Sequence, residues 1–546
     1  MKSINIKFSF ILLMIVFLTG CTKDFEKINT DPNNPTISQG DPKFVLSAAQ
    51  NRSMLVSTYY QNIQLLNPDI YAEFYANDLG VNFNSYNQVD AGIRMFWSEI
   101  VYYYLNDLNL IITNYSDKPE YTNIVQMARI WKSWLLLRAT DAWGDIPYFK
   151  ACDGSMTPAA YDKQQDIYDD MFKVLADAVS KFDNSKINPT VQDVVFGGNN
   201  ARWIKFANSL RLRMAMRISS VDPARAKTEA ESAIAAGVIS NSADMAAIKC
   251  DNSSSYAQNP IANVYSQGGF GMSQTMWNIL ANLGGQPWPA SVTATENPSM
   301  VDPRGPIMFD SSIGDGQGNY KNRWTGTSPG LASTSGPTTT NNNARIGKFV
   351  NGNLSRPLYI FKYSEICFLI AEAKVRFPSW NTGGGTAQSW YEAGIRDNMT
   401  EWGIPSAVVD AYLVSPQANI NGTSVLYTDN AGNNNTALDK IITQKYLSFF
   451  PENGWEAWND HRRLQKPKFI PFASVNSQWF PGTYDGTDAP QNYIRRMAYP
   501  VEEQTLNQTN LDEALSRIGV TASNKYVGYV RKPMWWDPYK EDGSLK

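Results

Sequence analysis

The chain has 546 residues, 12% of them aromatic and only 18% charged, and it contains 16 Trp but a single His. Few charges and many aromatic side chains argue against a largely disordered chain, and a formal net charge of −3 gives no support for nucleic-acid binding. One His excludes zinc sites built from two or three His ligands, and we expect neither a metal nor a cofactor.

The N-terminus has the pattern of a lipoprotein signal. Lysines precede an apolar run from Phe8 to Leu18, which is shorter than the about 20 residues that a bilayer span requires. The sequence Leu-Thr-Gly before Cys21 resembles a bacterial lipobox, which implies cleavage after residue 20 and lipidation of Cys21. The acidic residues that follow Cys21 resemble the surface-export signal of Bacteroidetes lipoproteins.

These patterns divide the chain into three parts. We expect a signal peptide over residues 1–20 and a lipid-anchored tether, rich in turn-forming residues, over residues 21–41. The remainder, residues 42–546, is predicted to be a single helical body.

Helical periodicity dominates the first 240 residues. Helices are predicted over residues 43–65, 92–115, 121–143, 161–182, 202–218 and 223–237. The second and third of these are expected to form an antiparallel pair. In the fifth of these, the apolar residues share one helical face, and Arg211, Arg213 and Arg217 lie largely off that face.

The middle of the chain is different. Residues 239–357 show little helical periodicity and are rich in Gly, Ser, Asn, Thr and Pro, with scattered Trp and Tyr. A segment of this length without regular structure is usually functional or disordered, and its Trp content favours order. Helices are predicted again over residues 359–377, 387–402, 437–450 and 500–517. The sequence therefore predicts an all-α scaffold of helical hairpins with one large, irregular, loop-rich insertion.

Three cysteines follow the one at the lipobox. Cys367 lies within an apolar helical pattern and is predicted to be a buried thiol. Cys152 and Cys250 could pair with each other, and the sequence does not decide whether they do.

Six segments together resemble one known family. They are DFEKINTDPN (24–33), DAWGDIPY (141–148), WIKFANSLRLRMAMR (203–217), EICFLIAEA (365–373), GWEAWNDHRR (454–463) and RRMAYP (495–500). The set resembles the SusD/RagB family of outer-membrane nutrient-binding lipoproteins. The resemblance covers nearly the whole chain and is closest to the branch with the Asn-Thr-Asp-Pro-Asn start.

The resemblance implies both fold and function. It implies tetratricopeptide-like helical hairpins, lipid anchoring at the outer membrane facing the cell exterior, and a SusC-like TonB-dependent barrel as partner. Members capture oligosaccharides, or in some cases peptides, without performing chemistry on them. The arginines in these motifs are predicted to be structural, binding backbone carbonyls or carboxylates; they are Arg462, Arg463, Arg495 and Arg496.

Candidate ligand residues follow from sugar chemistry. A sugar ring offers an apolar C–H face to an aromatic plane and a rim of hydroxyls to short polar side chains. Two segments combine these residue types: the loop over residues 78–86 and the insertion over residues 239–357. The candidates are Asp78, Asn82, Phe83, Tyr86, Tyr256, Trp277, Trp288, Tyr320 and Trp324. By contrast, Trp97, Trp131, Trp134 and Trp143 lie in helical patterns and are expected in the core.

Two other functions were weighed against binding. A helical glycoside hydrolase needs two carboxylates across a cleft, and no local motif marks such a pair. His461, the only candidate imidazole base, lies within a scaffold-like motif, and we expect it to be structural. A helical-repeat interaction scaffold would not need the aromatic-rich insertion. We therefore expect a nutrient-binding lipoprotein that is not an enzyme.

Overall fold

The structure is a computed structural model. It describes residues 40–53, 60–77, 90–155, 157–255, 257–265, 270–292, 294, 296–311, 323–330, 344–473, 475, 484–521 and 528–546. The predicted signal peptide, Cys21 and most of the predicted tether lie outside these residues.

Helices make up most of the described chain. The α-helices before the middle segment are α1 (Pro42–Arg52), α2 (Pro68–Tyr71), α3 (Asp90–Met95), α4 (Tyr104–Tyr115), α5 (Thr122–Trp143), α6 (Gln164–Ser180), α7 (Asn200–Ile218) and α8 (Pro223–Ala236). Those of the middle segment are α9 (Pro260–Tyr265), α10 (Gln274–Leu280) and α11 (Gly305–Met308). The rest are α12 (Tyr363–Arg376), α13 (Ala387–Glu401), α14 (Ser406–Leu413), α15 (Ala437–Phe449), α16 (Gly454–Leu464), α17 (Glu503–Leu506) and α18 (Gln508–Arg517).

Consecutive helices pack as hairpins. α4 packs on α5, α5 on α6, α7 on α8, and α12 on α13. A π-helical segment, Phe96–Tyr103, joins α3 to α4 without a break. The predicted C-terminal ends of α5 and α8 agree with the structure. Gly144 and Gly237 follow these helices with φ of 90° and 96°, a backbone conformation that ends a helix. The all-α class with helical hairpins is thus confirmed.

The structure corrects several predicted elements. The helix predicted over 43–65 ends as α1 at Arg52, with a separate π-helical segment over Tyr60–Leu65. The helix predicted from residue 359 begins only at Tyr363, because a strand over Leu358–Phe361 precedes it. The helix predicted over 500–517 is two short helices, α17 and α18. Helices α14 and α16 were not predicted.

The insertion is also more regular than predicted. Besides α9 to α11, short strands occur in and around it. They are β1 (Tyr75–Asn77), β2 (Ala246–Ile248), β3 (Phe270–Met272), β4 (Ala281–Pro287), β5 (Met300–Val301), β6 (Phe309–Asp310), β7 (Arg345–Ile346) and β8 (Leu358–Phe361). They form an antiparallel four-stranded sheet in the order β1-β3-β7-β6 and the pairs β2-β8 and β4-β5.

The interior contains most of the aromatic surplus. The four tryptophans expected in the core, Trp97, Trp131, Trp134 and Trp143, are all buried. Cys367 is a buried thiol, as predicted. Cys152 and Cys250 are both free thiols, which answers the question that the sequence left open.

Charged side chains are buried where five helices meet. We call this group the ionic cluster; its members are Asp141, Arg213, Arg217, Glu365, Glu372, Lys445, Glu456, Asp460 and Arg463. Arg213 forms a bidentate pair with Glu365, with both N···O distances 2.7 Å. Lys445 lies 2.8 Å from Asp460. The cluster joins α5, α7, α12, α15 and α16, so arginines that the sequence placed off an apolar face are interior residues.

Four cationic and five acidic side chains of the cluster offset much of the cost of one another's burial. Burial disfavours the ionised form of Asp460, but Lys445 and Arg463 outweigh this cost and hold its pKa well below the ordinary value. Such groups are satisfied as a set, and removal of one partner leaves a buried charge without compensation.

The four predicted structural arginines are confirmed in that role. Arg463 makes a bidentate pair with Glu372, and Arg495 pairs with Asp537. Arg462 donates to the carbonyl oxygens of Arg495 and Asp141 at 2.7 and 2.9 Å. Arg496 likewise donates to backbone carbonyls.

We predict that Glu365→Gln lowers the free energy of unfolding by about 3–5 kcal/mol, because it leaves the buried Arg213 guanidinium without its bidentate carboxylate. The matched control is Asp410→Asn in the pair Arg396–Asp410, whose side chains are 48% and 61% exposed. That change should cost less than about 1 kcal/mol. Urea denaturation of both variants measures the difference, and equal losses would contradict the assignment.

Candidate functional site

One edge of the four-stranded sheet gathers loops from distant parts of the chain. β1 and β3 pair so that Asn77 lies opposite Phe270, and β6 and β7 pair so that Asp310 lies opposite Arg345. Gly271 of β3 also lies opposite Arg345. The end of β1, the start of β3, the end of β6 and the start of β7 therefore share one edge, which we call the loop edge.

The loop edge connects the two segments that the sequence singled out separately. Asp78, Asn82, Phe83 and Tyr86 follow β1, and Tyr320 belongs to the stretch after β6. These five residues lie outside the described part of the chain, as does Tyr256, so their contacts are not assigned. The residues from which both segments leave the sheet are described: Asn77 ends β1 and Asp310 ends β6, and both lie at the loop edge.

Three of the predicted aromatic residues pack together. The rings of Trp288 and Trp324 meet edge to face with centroids 5.1 Å apart. The indole N–H of Trp277 donates to the carbonyl oxygen of Trp324 at 3.1 Å. We call these three residues the tryptophan cluster.

The members of the tryptophan cluster differ in exposure. Trp277 and Trp288 are only partly buried, whereas Trp324 is fully buried and donates to the carbonyl oxygen of Phe309 at 2.9 Å. Trp324 therefore has no ring surface to offer a ligand in this structure, and it contacts Trp288 through its ring and Trp277 through its backbone carbonyl. We leave it out of the proposed contact surface.

Local backbone geometry fixes the cluster. Ser273 caps α10 by accepting from the N–H of Met276 at 2.9 Å, which sets the direction in which Trp277 leaves the sheet. The returning chain passes close to this cap, since a Cβ at Gly326 would lie 2.5 Å from the Ser273 carbonyl oxygen. Only glycine permits this close approach of the two backbone segments, which places the Trp324 carbonyl next to the Trp277 indole.

The cluster and the loop edge lie at opposite ends of β3. That strand has three residues, so roughly 7–10 Å separates its ends. The stretch after β6 leaves from the loop edge and returns at Trp324. The two features are thus adjoining parts of the sheet region, linked by β3, whose three residues are buried.

Charge is sparse on the described part of this region. Arg304 is fully buried and paired with Asp302 at 2.7 Å, so its charge is not exposed to a ligand. Arg323 pairs with Glu296 at the surface. Burial raises the pKa of Asp310 at the loop edge, although Lys348 opposes this shift. The partly exposed rings of Trp277 and Trp288 belong to this surface.

Sequence reasoning did not single out two residues of the loop edge, Phe270 and Arg345. Strands of two or three residues carry no usable alternation of polar and apolar positions. These positions become neighbours only through pairing between segments far apart in sequence.

Three titratable groups with strongly shifted pKa values, His461, Asp69 and Glu73, lie in the core. His461 is 1% exposed and its ring stacks on Phe469 with centroids 3.7 Å apart; burial lowers its pKa to about 3. Burial raises the pKa of Asp69 to about 7 and that of Glu73 well above its ordinary value, and both are fully buried. None of the three faces an open cleft. Among the described residues, no group of His, Cys, Asp and Glu is arranged to hold a metal ion.

The fold and this region define a helical-hairpin protein with an aromatic surface built on a small sheet. The family of SusD-like proteins, described as SusD and RagB outer membrane lipoproteins, matches residues 28–537. The chain belongs to this family. None of the curated proteins matches it.

Solved structures agree with this assignment. A SusD homologue from Parabacteroides distasonis is 30% identical with a TM-score of 0.83, and the match covers 92% of this chain and 99% of that one. A chitin-binding SusD homologue from Flavobacterium johnsoniae is 28% identical with a TM-score of 0.72, and the match covers 92% of this chain and 98% of that one.

Within the described residues, no helix has the length and apolarity needed to cross a bilayer.

His461 predicts a specific acid sensitivity. Its pKa is about 3 in the folded chain against about 6.5 unfolded, so between these values the unfolded chain binds the additional proton. Its stabilising contribution is therefore complete above pH 6.5 and is lost as the pH falls. Between pH 8 and pH 5 the wild type should lose about 2 kcal/mol of unfolding free energy relative to His461→Phe.

Denaturation curves of both proteins at the two pH values test this. Asp69 acts in the opposite direction, but it is present in both proteins and cancels in the difference. Parallel pH profiles would show that His461 is protonated in the folded chain.

Proposed function

We propose that the chain is a cell-surface lipoprotein that captures an oligosaccharide and passes it, chemically unchanged, to a SusC-like TonB-dependent barrel. Family membership over residues 28–537 is the observation that carries this proposal. Because the 28% identical SusD homologue from Flavobacterium johnsoniae is chitin-binding, a glycan is the first ligand class to test and a peptide the second.

The proposed ligand surface runs from the tryptophan cluster to the loop edge. Trp277 and Trp288 are partly exposed rings whose indole N–H groups are engaged by backbone carbonyls at 3.1 and 2.8 Å. Their orientations are therefore fixed before a ligand arrives, which lowers the entropic cost of stacking against a sugar ring. The loop residues Asp78, Asn82, Phe83, Tyr86 and Tyr320 are proposed to supply further stacking and hydroxyl contacts, and Tyr256 is kept as a candidate.

Anchoring and delivery follow from the same proposal. Lipidation of Cys21 would hold the body at the outer membrane, facing the exterior, where the barrel receives the ligand. Transfer needs no acid or base, in keeping with the burial of His461, Asp69 and Glu73.

Trp277→Ala and Trp288→Ala should each weaken oligosaccharide binding about three- to tenfold, because each removes one stacking face. Calorimetry against chitin oligomers, other oligosaccharides and peptides measures the affinities, with product analysis after each titration. The matched control is Trp390→Ala, since Trp390 is also partly buried and donates to the Gly384 carbonyl at 2.8 Å, but lies on α13.

Two outcomes would contradict the proposal. If the Trp390 variant loses as much affinity as the other two, the effect is a general loss of stability. If a ligand is converted to product, the chain is an enzyme.

Cys21→Ala should abolish incorporation of labelled fatty acid and release the protein from the outer-membrane fraction, because the lipid is the proposed anchor. Metabolic labelling followed by membrane fractionation measures both. Cys152→Ala, which removes another free thiol, is the control and should retain the label. Label retained by the Cys21 variant would place the anchor elsewhere.

A further inference from the structure

A cavity of about 720 Å³ lies away from the tryptophan cluster and the loop edge. It is formed by the start of α6, the end of α18 and the C-terminal segment, all within the described residues. Its volume falls in the range of about 300–1,000 Å³ that is typical of small-molecule sites. Its deeper wall includes Met534 and Arg496, which are buried, while Lys163, Gln165 and Lys540 are exposed at its rim.

Positive charge predominates around this cavity. Six cationic side chains line it, against two acidic ones, Asp145 and Glu541. The acidic groups are already engaged, since Asp145 pairs with Arg517 at 2.8 Å and Glu541 with Lys532 at 2.5 Å. The other four cationic side chains are those of Lys163, Arg496, Lys540 and Lys546.

Those four differ in how they are held. Arg496 donates to the carbonyls of Lys532 and Pro533 at 2.9 and 2.7 Å, and Lys546 donates to those of Met534 and Trp535 at 3.0 and 3.1 Å. These carbonyls hold both cations in place, and Asp145 and Asp537 interact electrostatically with Arg496 and Lys546, respectively.

The ammonium groups of Lys163 and Lys540 make no hydrogen bond or ion pair within the described chain. Burial lowers the pKa of Lys546 to about 8; Asp537 opposes the shift and the nearby Arg495 and Arg496 add to it. The electrostatic surroundings of the cavity therefore favour an anion. The N-terminus of α6 adds partial positive charge at the same place.

The cavity also has an aromatic wall, which a site for a simple inorganic anion would not need. Trp535 is partly buried, its backbone N–H donates to Gln164 at 2.9 Å, and its ring packs edge to face on Tyr168 at 5.6 Å. Its position is thus fixed from behind. Gln165 provides an amide at the rim that can bind hydroxyl groups.

From these features we propose a second ligand site in this cavity, which binds a sugar ring that carries a carboxylate or a sulfate group. Trp535 stacks against the C–H face of the ring, and Lys163 and Lys540 bind the anionic group. The site does not depend on the oligosaccharide surface proposed above, since the two share no residue.

The test titrates the full-length chain, in detergent and at low salt, with methyl glucuronide, glucose 6-sulfate, methyl glucoside and inorganic sulfate. At least one anionic sugar should bind about tenfold or more tightly than both the neutral glycoside and sulfate. Comparison of the two anionic sugars identifies the preferred acidic group. If neither binds more tightly than the neutral glycoside, the proposal is overturned.

Variants localise the binding. Lys163→Gln should weaken binding of the anionic sugar about three- to tenfold, whereas Lys173→Gln, which removes an exposed charge farther along α6, should not. Trp535→Leu should weaken binding of the sugar but not of sulfate. Equal effects of the two lysine variants, or sulfate binding as tightly as the sugar, would leave only non-specific anion attraction and refute the site.

Discussion

The ionic cluster is the constraint on which the rest of the molecule depends. Its charges come from five helices, and each is stabilised only while the opposite charges stay within a few ångströms, because the interior offers no water in compensation. Helix α15 connects the ionic cluster to the four-stranded sheet. Lys445 belongs to the cluster, and the next residue, Tyr446, donates to the carbonyls of Ala72 and Glu73 just before β1. Phe450, at the end of the same helix, packs against Tyr75 of β1 and Phe309 of β6. The loop edge is thus positioned by charges in the helical body.

How much of this could be predicted from sequence depends on the range of the interactions involved. Helix ends set by local chemistry were predicted closely, as at Gly144 and Gly237, because a residue with positive φ stops a helix whatever surrounds it. The burial of Arg213 and Arg217 was not predicted. Periodicity compares apolar with charged positions, and a helix surrounded on all sides by partners buries both. Strands of two or three residues leave no periodic signal, so the convergence of loops at one sheet edge emerged only from pairings such as Tyr75 with Met272.

At the candidate site, too, the sequence predicted the residue types but not the contacts that depend on long-range packing. Composition placed Trp277, Trp288 and Trp324 in one class, and the structure does bring them together. Composition could not separate a supporting ring from an exposed one, because that difference depends on Gly326 allowing the chain to pass close to the cap of α10. The aromatic surplus therefore has two physical roles. Most rings fill the interior between helices, and a few are held at the surface by backbone carbonyls that fix their orientation.

The two proposed ligand regions differ in the physical basis of recognition. At the tryptophan cluster the cations nearby are paired, so selectivity there rests on ring stacking and hydrogen bonds, which tolerate many neutral sugars. In the C-terminal cavity the cations exceed the acids and backbone carbonyls hold two of them in place, so an anionic ligand gains interactions with Lys163 and Lys540 that a neutral ligand does not. A polymer that carries acidic substituents could engage both regions, with its neutral rings on the tryptophans and an acidic residue in the cavity. Affinity for such a polymer would then depend on salt only through the cavity, since screening weakens charge interactions and leaves ring stacking largely unchanged.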